Sequence, residues 1–288
     1  MNVPVQTGSI IIDNKTGRIL SFVGGRDHQL EQLNHATQAY RSNGSTMKPL
    51  LAYAPALEYG VIGAGSPVVD VKFKRDYDDY EPVNYIPTQE LGIIPARQAV
   101  ASSQNLALLR LYDSILDRRP ATYLDKMGFS KLTEGDYVHL STAIGGITHG
   151  ATVEENTNAY TTFANEGKFI DAYMIERIED LDGNVIFEQK VEPIEVFSPE
   201  TAYMMTDMLR GVLQQGGTAT LAKSQLKFSS DFAAKTGTTQ DHKDVWLVGY
   251  NPNISIGVWL GYDQPRTLYA FNNRYQHPSN RVNRLWAS

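Results

Sequence analysis

Hydrophobic positions along the chain change period several times, and each change marks an element. Ser9-Ile10-Ile11-Ile12 and Ile19-Leu20-Ser21-Phe22-Val23 are apolar runs separated by Asp13-Asn14-Lys15-Thr16-Gly17. Turn chemistry between two such runs predicts a hairpin over 8–23, which Gly24-Gly25 ends. A polar stretch follows to Gly44. From Ser45, residues Met47, Leu50, Leu51, Ala54 and Leu57 recur at three- and four-residue steps, the period of a helix. Pro49 is tolerated in its first turn, where no amide hydrogen is needed, and Gly60 is a stop. Residues 63–95 look irregular, with a Tyr- and Asp-rich run from Arg75 to Tyr85. Helical spacing returns over 96–102, 106–116, 123–127 and 153–165. Runs at 173–180 and 185–189 flank Leu181-Asp182-Gly183-Asn184 and predict a second hairpin. Ser198 as N-cap and Pro199 at the first helical position open a long helix over 199–213, which Gly216-Gly217 ends. Strand-like runs follow at 232–239, 245–250 and 254–262, and Asn283 to Ser288 look like the start of a further helix. Strands at both ends with helices between them predict an α+β fold whose first and last strands meet in one antiparallel sheet.

Composition narrows the picture. The chain has 288 residues, 42% of them hydrophobic, which excludes a wholly disordered protein. Its 26 basic and 32 acidic residues leave a net charge of −6, which argues against a nucleic-acid binder. The absence of cysteine excludes a disulfide scaffold, a thiolate nucleophile, and thiolate ligation of zinc or iron–sulfur clusters. No run approaches the roughly 18 apolar residues of a membrane helix. Met1 to Gln6 show no basic region followed by an apolar run, so no signal peptide is visible. Composition thus leaves a cytosolic protein and a soluble piece of a longer anchored chain both open.

Three short motifs carry candidate chemistry. Ser45-Thr46-Met47-Lys48 places a hydroxyl and an amine at i and i+3 on one helix face. A serine needs a base to become a nucleophile, and a lysine serves if burial or a second cation lowers its pKa. A backbone N–H at the helix start sits at the positive end of the dipole. Roughly one Ser-x-x-Lys is expected by chance in a chain this long, and a second copy exists at Ser224-Gln225-Leu226-Lys227. That copy lacks the following apolar helix and is read as part of a polar connection. Ser103-Gln104-Asn105 lies at a break between helical segments, where its hydroxyl is able to relay a proton and its amide to hold a carbonyl, though alone the string is weaker still, since Ser and Asn are common in turns and caps. Lys235-Thr236-Gly237-Thr238-Thr239 is expected to present a cation and hydroxyls on one strand face, which suits a carboxylate. Gly237 admits close approach of a ligand backbone. Its copy, Lys15-Thr16-Gly17-Arg18, is read as a hairpin tip.

Together and in this order, the motifs are those of penicillin-binding proteins and class A β-lactamases. The chain resembles the transpeptidase domain of penicillin-binding proteins, within it the bifunctional class A type, over nearly its whole length. The resemblance is carried by Asn34 to Ala39, Arg41 to Pro49, Pro82-Val83-Asn84-Tyr85, Ala143-Ile144-Gly145-Gly146, Phe163 to Gly167 and Lys235 to Tyr250. It implies that Ser45 is the acylated nucleophile, Lys48 its base and Ser103 a proton shuttle. It further implies that Asn105 holds the peptide, Lys235 sustains a positive field, and Thr236, Gly237 and Thr238 line the carboxylate site. The backbone N–H groups of Ser45 and Thr238 form the implied oxyanion hole. The implied substrates are D-Ala-D-Ala stem peptides of peptidoglycan, with β-lactams acylating Ser45 as mimics. The implied fold is a five-stranded antiparallel sheet flanked by helices, with a helical subdomain inserted roughly over 60–170.

Members of this class carry an upstream glycosyltransferase domain and a membrane anchor, and neither is found in the sequence. The resemblance therefore implies one catalytic domain, residues 1–288, excised from a chain that works on the outer face of a bacterial membrane, in a cell-wall synthesis complex. Rival readings on the same scaffold are a D,D-carboxypeptidase, a β-lactamase and a β-lactam sensor. Glu31-Gln32-Leu33-Asn34 precedes the nucleophile, and Glu154, Glu155 and Glu166 lack the spacing of a β-lactamase loop. Asp76 to Glu81 are read as a solvated arm, and Trp246 and Trp259 as core or cleft wall. The histidines lack metal spacing, so no metal and no cofactor are expected.

Overall fold

A computed structural model describes residues 4–74, 81–269 and 277–288. The first three residues, and the expected arm except for Glu81, lie outside them. Strands β1 (Gln6–Asp13) and β2 (Ile19–Val23) form the first hairpin. The Asp13 carboxylate accepts the amides of Lys15 and Thr16 at its tip. From 44 to 58 the chain forms a buried rod: a 3₁₀ turn (Gly44–Thr46), a π-type turn (Pro49–Tyr53) and α1 (Ala54–Glu58). The expected regular helix from Ser45 is thus replaced by three helical pitches. Pro49 and Pro55 each withdraw an N–H, and the Ala54 amide reaches back five residues to the Pro49 carbonyl.

Within the stretch that looked irregular, β3 (Pro67–Asp70) pairs antiparallel with β4 (Gly92–Pro95). Each strand is four residues long, too short for alternation to stand out. Helices α2 (Ala96–Ala101), α3 (Asn105–Asp113), α4 (Thr122–Lys126) and α5 (Val153–Ala164) follow. The short β5 (Lys168–Phe169) pairs with β8 (Ile194–Glu195). Between them, β6 (Arg177–Glu179) and β7 (Val185–Glu188) form the second hairpin, exposed along its length. Helix α6 (Pro199–Arg210) begins as expected, with the Ser198 hydroxyl accepting the Thr201 amide, and tightens into a 3₁₀ turn at Gly211–Leu213. Then come α7 (Thr220–Gln225), β9 (Ala233–Thr238), β10 (Asp244–Tyr250), β11 (Ile254–Gly261) and α8 (Pro278–Trp286). The last helix starts at Pro278 and not at Asn283, because its first turn is polar and gives no hydrophobic period.

The main sheet has the order β2-β1-β11-β10-β9, with every pair antiparallel. The first and last strands do meet: Gln6 lies opposite Gly261 and Asp13 opposite Ile254. Strand β10 is buried over all seven residues because helices cover both faces. Gly257 lies against Thr157 of α5 and Gly249 against Trp286 of α8, and a Cβ at either would collide. These glycines occupy successive rungs of the β10–β11 ladder, so they face opposite sides. The buried rod packs between α3, α5 and α6 through Met47, Leu50, Leu51, Leu109, Tyr160 and Met205. Each such side chain contributes roughly 1.5–3 kcal/mol of burial. Trp246 and Trp259 are buried in a second cluster with Ile10, Ile12 and Val153. The result is the α+β class expected, a five-stranded antiparallel sheet flanked by helices.

Candidate active site

Ser45 sits in a turn pinned from three sides. Asn43 is fully buried and donates to Asn156 Oδ1 on α5 at 2.8 Å. The Tyr160 hydroxyl donates to the Thr46 carbonyl at 2.6 Å, and Trp246 Nε1 donates to the Ser42 carbonyl at 2.9 Å. Gly44 has φ +54° and packs on the Thr238 backbone so closely that no Cβ fits. Ser45 itself is partly exposed, while Lys48 is fully buried. Residues i and i+3 are neighbours on a helical surface, so Ser45 and Lys48 share a face.

The lysine amine points to the Ser103 loop. Lys48 Nζ donates to Asn105 Oδ1 at 2.7 Å, to the Ser103 carbonyl at 2.6 Å and to Ser103 Oγ at 3.2 Å. Lys235 Nζ donates to the same Ser103 Oγ at 2.8 Å. Ser103 is left-handed at φ +59°, a conformation that costs a β-carbon residue roughly 1–3 kcal/mol. The strain aims its hydroxyl between two amines. Burial holds Lys48 well below the usual lysine range, and the neighbouring Lys235 charge lowers it further, against an opposing pull from Asp70. Burial brings Lys235 down to about 7. No hydrogen bond joins Lys48 Nζ to Ser45 Oγ among the described residues; such contacts commonly tighten only when substrate arrives.

Strand β9 corrects one expectation. Lys235 and the hydroxyls of Thr236 and Thr238 do not share a strand face, because strand side chains alternate with period two. Lys235 and Gly237 face the rod, where a Cβ on Gly237 would meet the Asn43 carbonyl at 2.5 Å. Thr236 and Thr238 face the other way, to Thr218 Oγ1 at 2.6 Å and Ser279 Oγ at 3.2 Å. The cation and the hydroxyls therefore flank an edge. β9 is the outer strand of the sheet, and the Thr239 amide is the one bonded inward, to the Asp244 carbonyl at 3.0 Å. By antiparallel alternation the Thr238 N–H then points off the edge, toward the Gly44-Ser45 turn. The Ser45 amide lies in a first helical turn, where donors lack intrahelical acceptors.

All the sequence-derived candidates converge here: Ser45, Lys48, Ser103, Asn105, Lys235, Thr236, Gly237 and Thr238. Their copies do not. Ser224 and Lys227 are exposed at the end of α7, where Ser224 Oγ donates to the Leu221 carbonyl. Lys15 and Gly17 form the first hairpin tip, with Gly17 at φ +77°. Several neighbours carried no separate sequence signal: Asp70, Asn156, Thr218 and the pair His242 and His277. Tyr85 Oη lies 2.7 Å from His242 Nε2 and 2.6 Å from His277 Nε2. Asn84 stood within a recognised string, but its role in capping α3 emerges only from long-range contacts. No cluster of three or more metal-binding side chains occurs among the described residues.

Comparison with known proteins gives the family of the domain. Residues 7–265 match the penicillin binding protein transpeptidase domain. The chain is 32% identical over 265 residues to penicillin-binding protein 4 of Bacillus subtilis, covering 92% of this chain and 41% of that protein. It is 35% identical over 272 residues to penicillin-binding protein 1A of Aquifex aeolicus, covering 92% and 36%. It thus spans well under half the length of these curated relatives. Among solved structures, penicillin-binding protein 1A from Haemophilus influenzae superposes with a TM-score of 0.81 at 22% identity, over 98% of this chain and 47% of that one. Penicillin-binding protein PonA1 from Mycobacterium tuberculosis superposes at 0.82 and 21% identity, over 98% and 74%. Fold, motif order and sequence relationship together place the chain in the penicillin-binding protein transpeptidase domain family, in its class A branch.

Proposed function

We propose that this domain is a serine D,D-transpeptidase that crosslinks peptidoglycan stem peptides through an acyl-enzyme on Ser45. The observation that carries the reading is the convergence of two buried lysines on Ser103 Oγ beside the Ser45 turn. Burial and the neighbouring Lys235 charge depress the Lys48 pKa, which favours the neutral amine that can accept a proton. Lys48 takes the proton of Ser45 Oγ as the oxygen attacks the penultimate D-Ala carbonyl. The amides of Ser45 and Thr238 receive the negative charge that develops on that oxygen. The peptide C–N bond breaks, Ser103 passes a proton to the departing D-Ala amine and regains one from the Lys48 ammonium, and Lys235 keeps the Ser103 hydroxyl polarised. Asn105 positions the peptide, and Thr236, Gly237 and Thr238 accommodate its terminal carboxylate. An amine of a neighbouring stem then attacks the ester, its proton passing through Ser103 and Lys48 to Ser45 Oγ as the C–O bond breaks, which restores Ser45 and closes the crosslink.

β-Lactams enter as mimics: ring opening leaves their acyl group on Ser45 with no small amine to depart. PonA1, similar in fold, has been solved in complex with penicillin V. The relatives' greater length supports a role within a larger, anchored protein acting at the outer membrane face. Among the described residues, no helix of this chain is long and apolar enough to cross a membrane.

The test is intact-protein mass after penicillin treatment. One adduct lasting hours is expected; loss within seconds would indicate a β-lactamase, and no adduct would overturn the reading. Stem peptides supplied with an acceptor amine should yield a crosslinked product. Release of D-Ala alone would point to a carboxypeptidase.

A further inference from the structure

We infer that Asp70, acting through Asn84, is a positioning residue for Asn105 and Lys48; the inference rests on the transpeptidase reading and deepens it. Asp70 ends β3 with no exposed surface. Its oxygens accept Asn84 Nδ2 at 3.0 and 3.1 Å, the Leu91 amide at 2.9 Å and the Ala107 amide at 3.3 Å. Asn84 Oδ1 accepts the amides of Asn105 at 2.8 Å and Leu106 at 3.0 Å. The first three amides of α3 are thus satisfied by side chains 21 to 37 residues upstream. The helix has no side-chain cap from Gln104. A carboxylate buried at a helix N-terminus is favoured by the dipole as well as by these bonds.

The consequence for the site is directional. Asn84 has its amide nitrogen turned to acceptors, Asp70 and the Gln89 carbonyl, so its oxygen faces α3. Asn105 Nδ2 donates to the Val83 carbonyl at 2.9 Å, so its oxygen faces Lys48 Nζ. Asp70, Asn84, Asn105 and Lys48 form one polarised chain in which each amide has a single consistent orientation. The Asp70 charge opposes both burial and Lys235 at Lys48, which keeps the amine from becoming too weak a base. The other charge acting on Lys48 is Lys235 on β9, and Tyr53 on the rod is the group that feels Asp70. Farther out lie Arg110 on α3, which donates to the Val71 carbonyl, the Lys72–Glu90 pair, and Tyr85 with His242 and His277.

The experiment titrates Lys48 by its ¹³C-lysine resonance, assigned through its loss in Lys48→Met, in wild type and Asp70→Asn. The midpoint should fall by about half a pH unit or more in Asp70→Asn. The limiting penicillin acylation rate should drop about tenfold or more, with half-saturation changed less than about threefold. An unmoved midpoint and pH profile, with only a lower melting temperature, would mean that Asp70 is merely structural and would overturn the inference. If Asp70→Asn has no cooperative melting transition, Asn84→Ala decides: it should fold and acylate at least about tenfold more slowly, and an unchanged rate would overturn the inference. A wild type that penicillin does not acylate, but whose Lys48 midpoint still moves in Asp70→Asn, would sink the transpeptidase reading and leave the positioning role standing.

Discussion

The chain contains the same two short patterns twice, and the copies differ in what surrounds their lysines. Lys48 and Lys235 have no exposed surface and meet at one serine hydroxyl. Lys227 and Lys15 stand in solvent at a helix end and a hairpin tip. Water solvates an exposed ammonium fully, so it stays charged and chemically idle. A buried ammonium loses that solvation and becomes a base. The reactive property belongs to the burial and not to the tripeptide. The glycines differ in place: Gly237 lets β9 lie against the Asn43 carbonyl beside the site, while Gly17 supplies a left-handed turn packed on Ile170 and Asp171.

The largest expected contrast is at the nucleophile. Ser45→Ala should abolish the penicillin adduct by mass spectrometry, a loss of about a thousandfold or more in acylation, and Ser224→Ala should leave it intact. An adduct surviving in Ser45→Ala would falsify the assignment. Next come the lysines. Lys48→Met and Lys235→Met should each slow stopped-flow acylation by about a hundredfold or more, against less than about twofold for Lys227→Met and Lys15→Met. In wild type the rate should climb with pH as Lys48 loses its proton; a flat profile between about pH 6 and 9 would count against it as base.

Stability carries a smaller version of the contrast. Lys235 is depressed to about 7 from its ordinary 10.5, so folding disfavours its protonated form. The unfolded chain binds that proton more tightly. The penalty is present in full below pH 7 and is relieved as pH rises toward the unfolded value, so this group makes the domain more stable from about pH 7 upward. Chemical denaturation at pH 7 and 9 should show that rise weakened in Lys235→Met and kept in Lys227→Met. The smallest effect is at the supports of the turn. Asn156→Ala leaves the buried Asn43 amide unpartnered and should lower the unfolding free energy by roughly 1–3 kcal/mol. An equal loss from alanine at exposed Asn184 would remove the distinction.

The sequence by itself determined the two terminal groups of strands, the Ser198 cap and the order of the three motifs. Each of these is a local signal: an apolar run, a capping side chain, a short string. It also singled out Lys48, Ser103, Asn105 and Lys235, which meet through hydrogen bonds in the fold. It did not determine which of them face one another. The expected shared face for Lys235 and the threonines failed because alternation in β9 sends them to opposite sides, and only the sheet edge brings both to the site. The regular helix at Ser45 failed because two prolines loosen it. Asp70 and Asn156 were invisible because their meaning is a long-range hydrogen bond, made by residues with no pattern of their own. Tertiary structure decided what no string encodes: how completely two lysines are removed from water, and which carboxylate acts on Lys48. Electrostatic strength depends on distance and on excluded solvent, and both are properties of the packed fold.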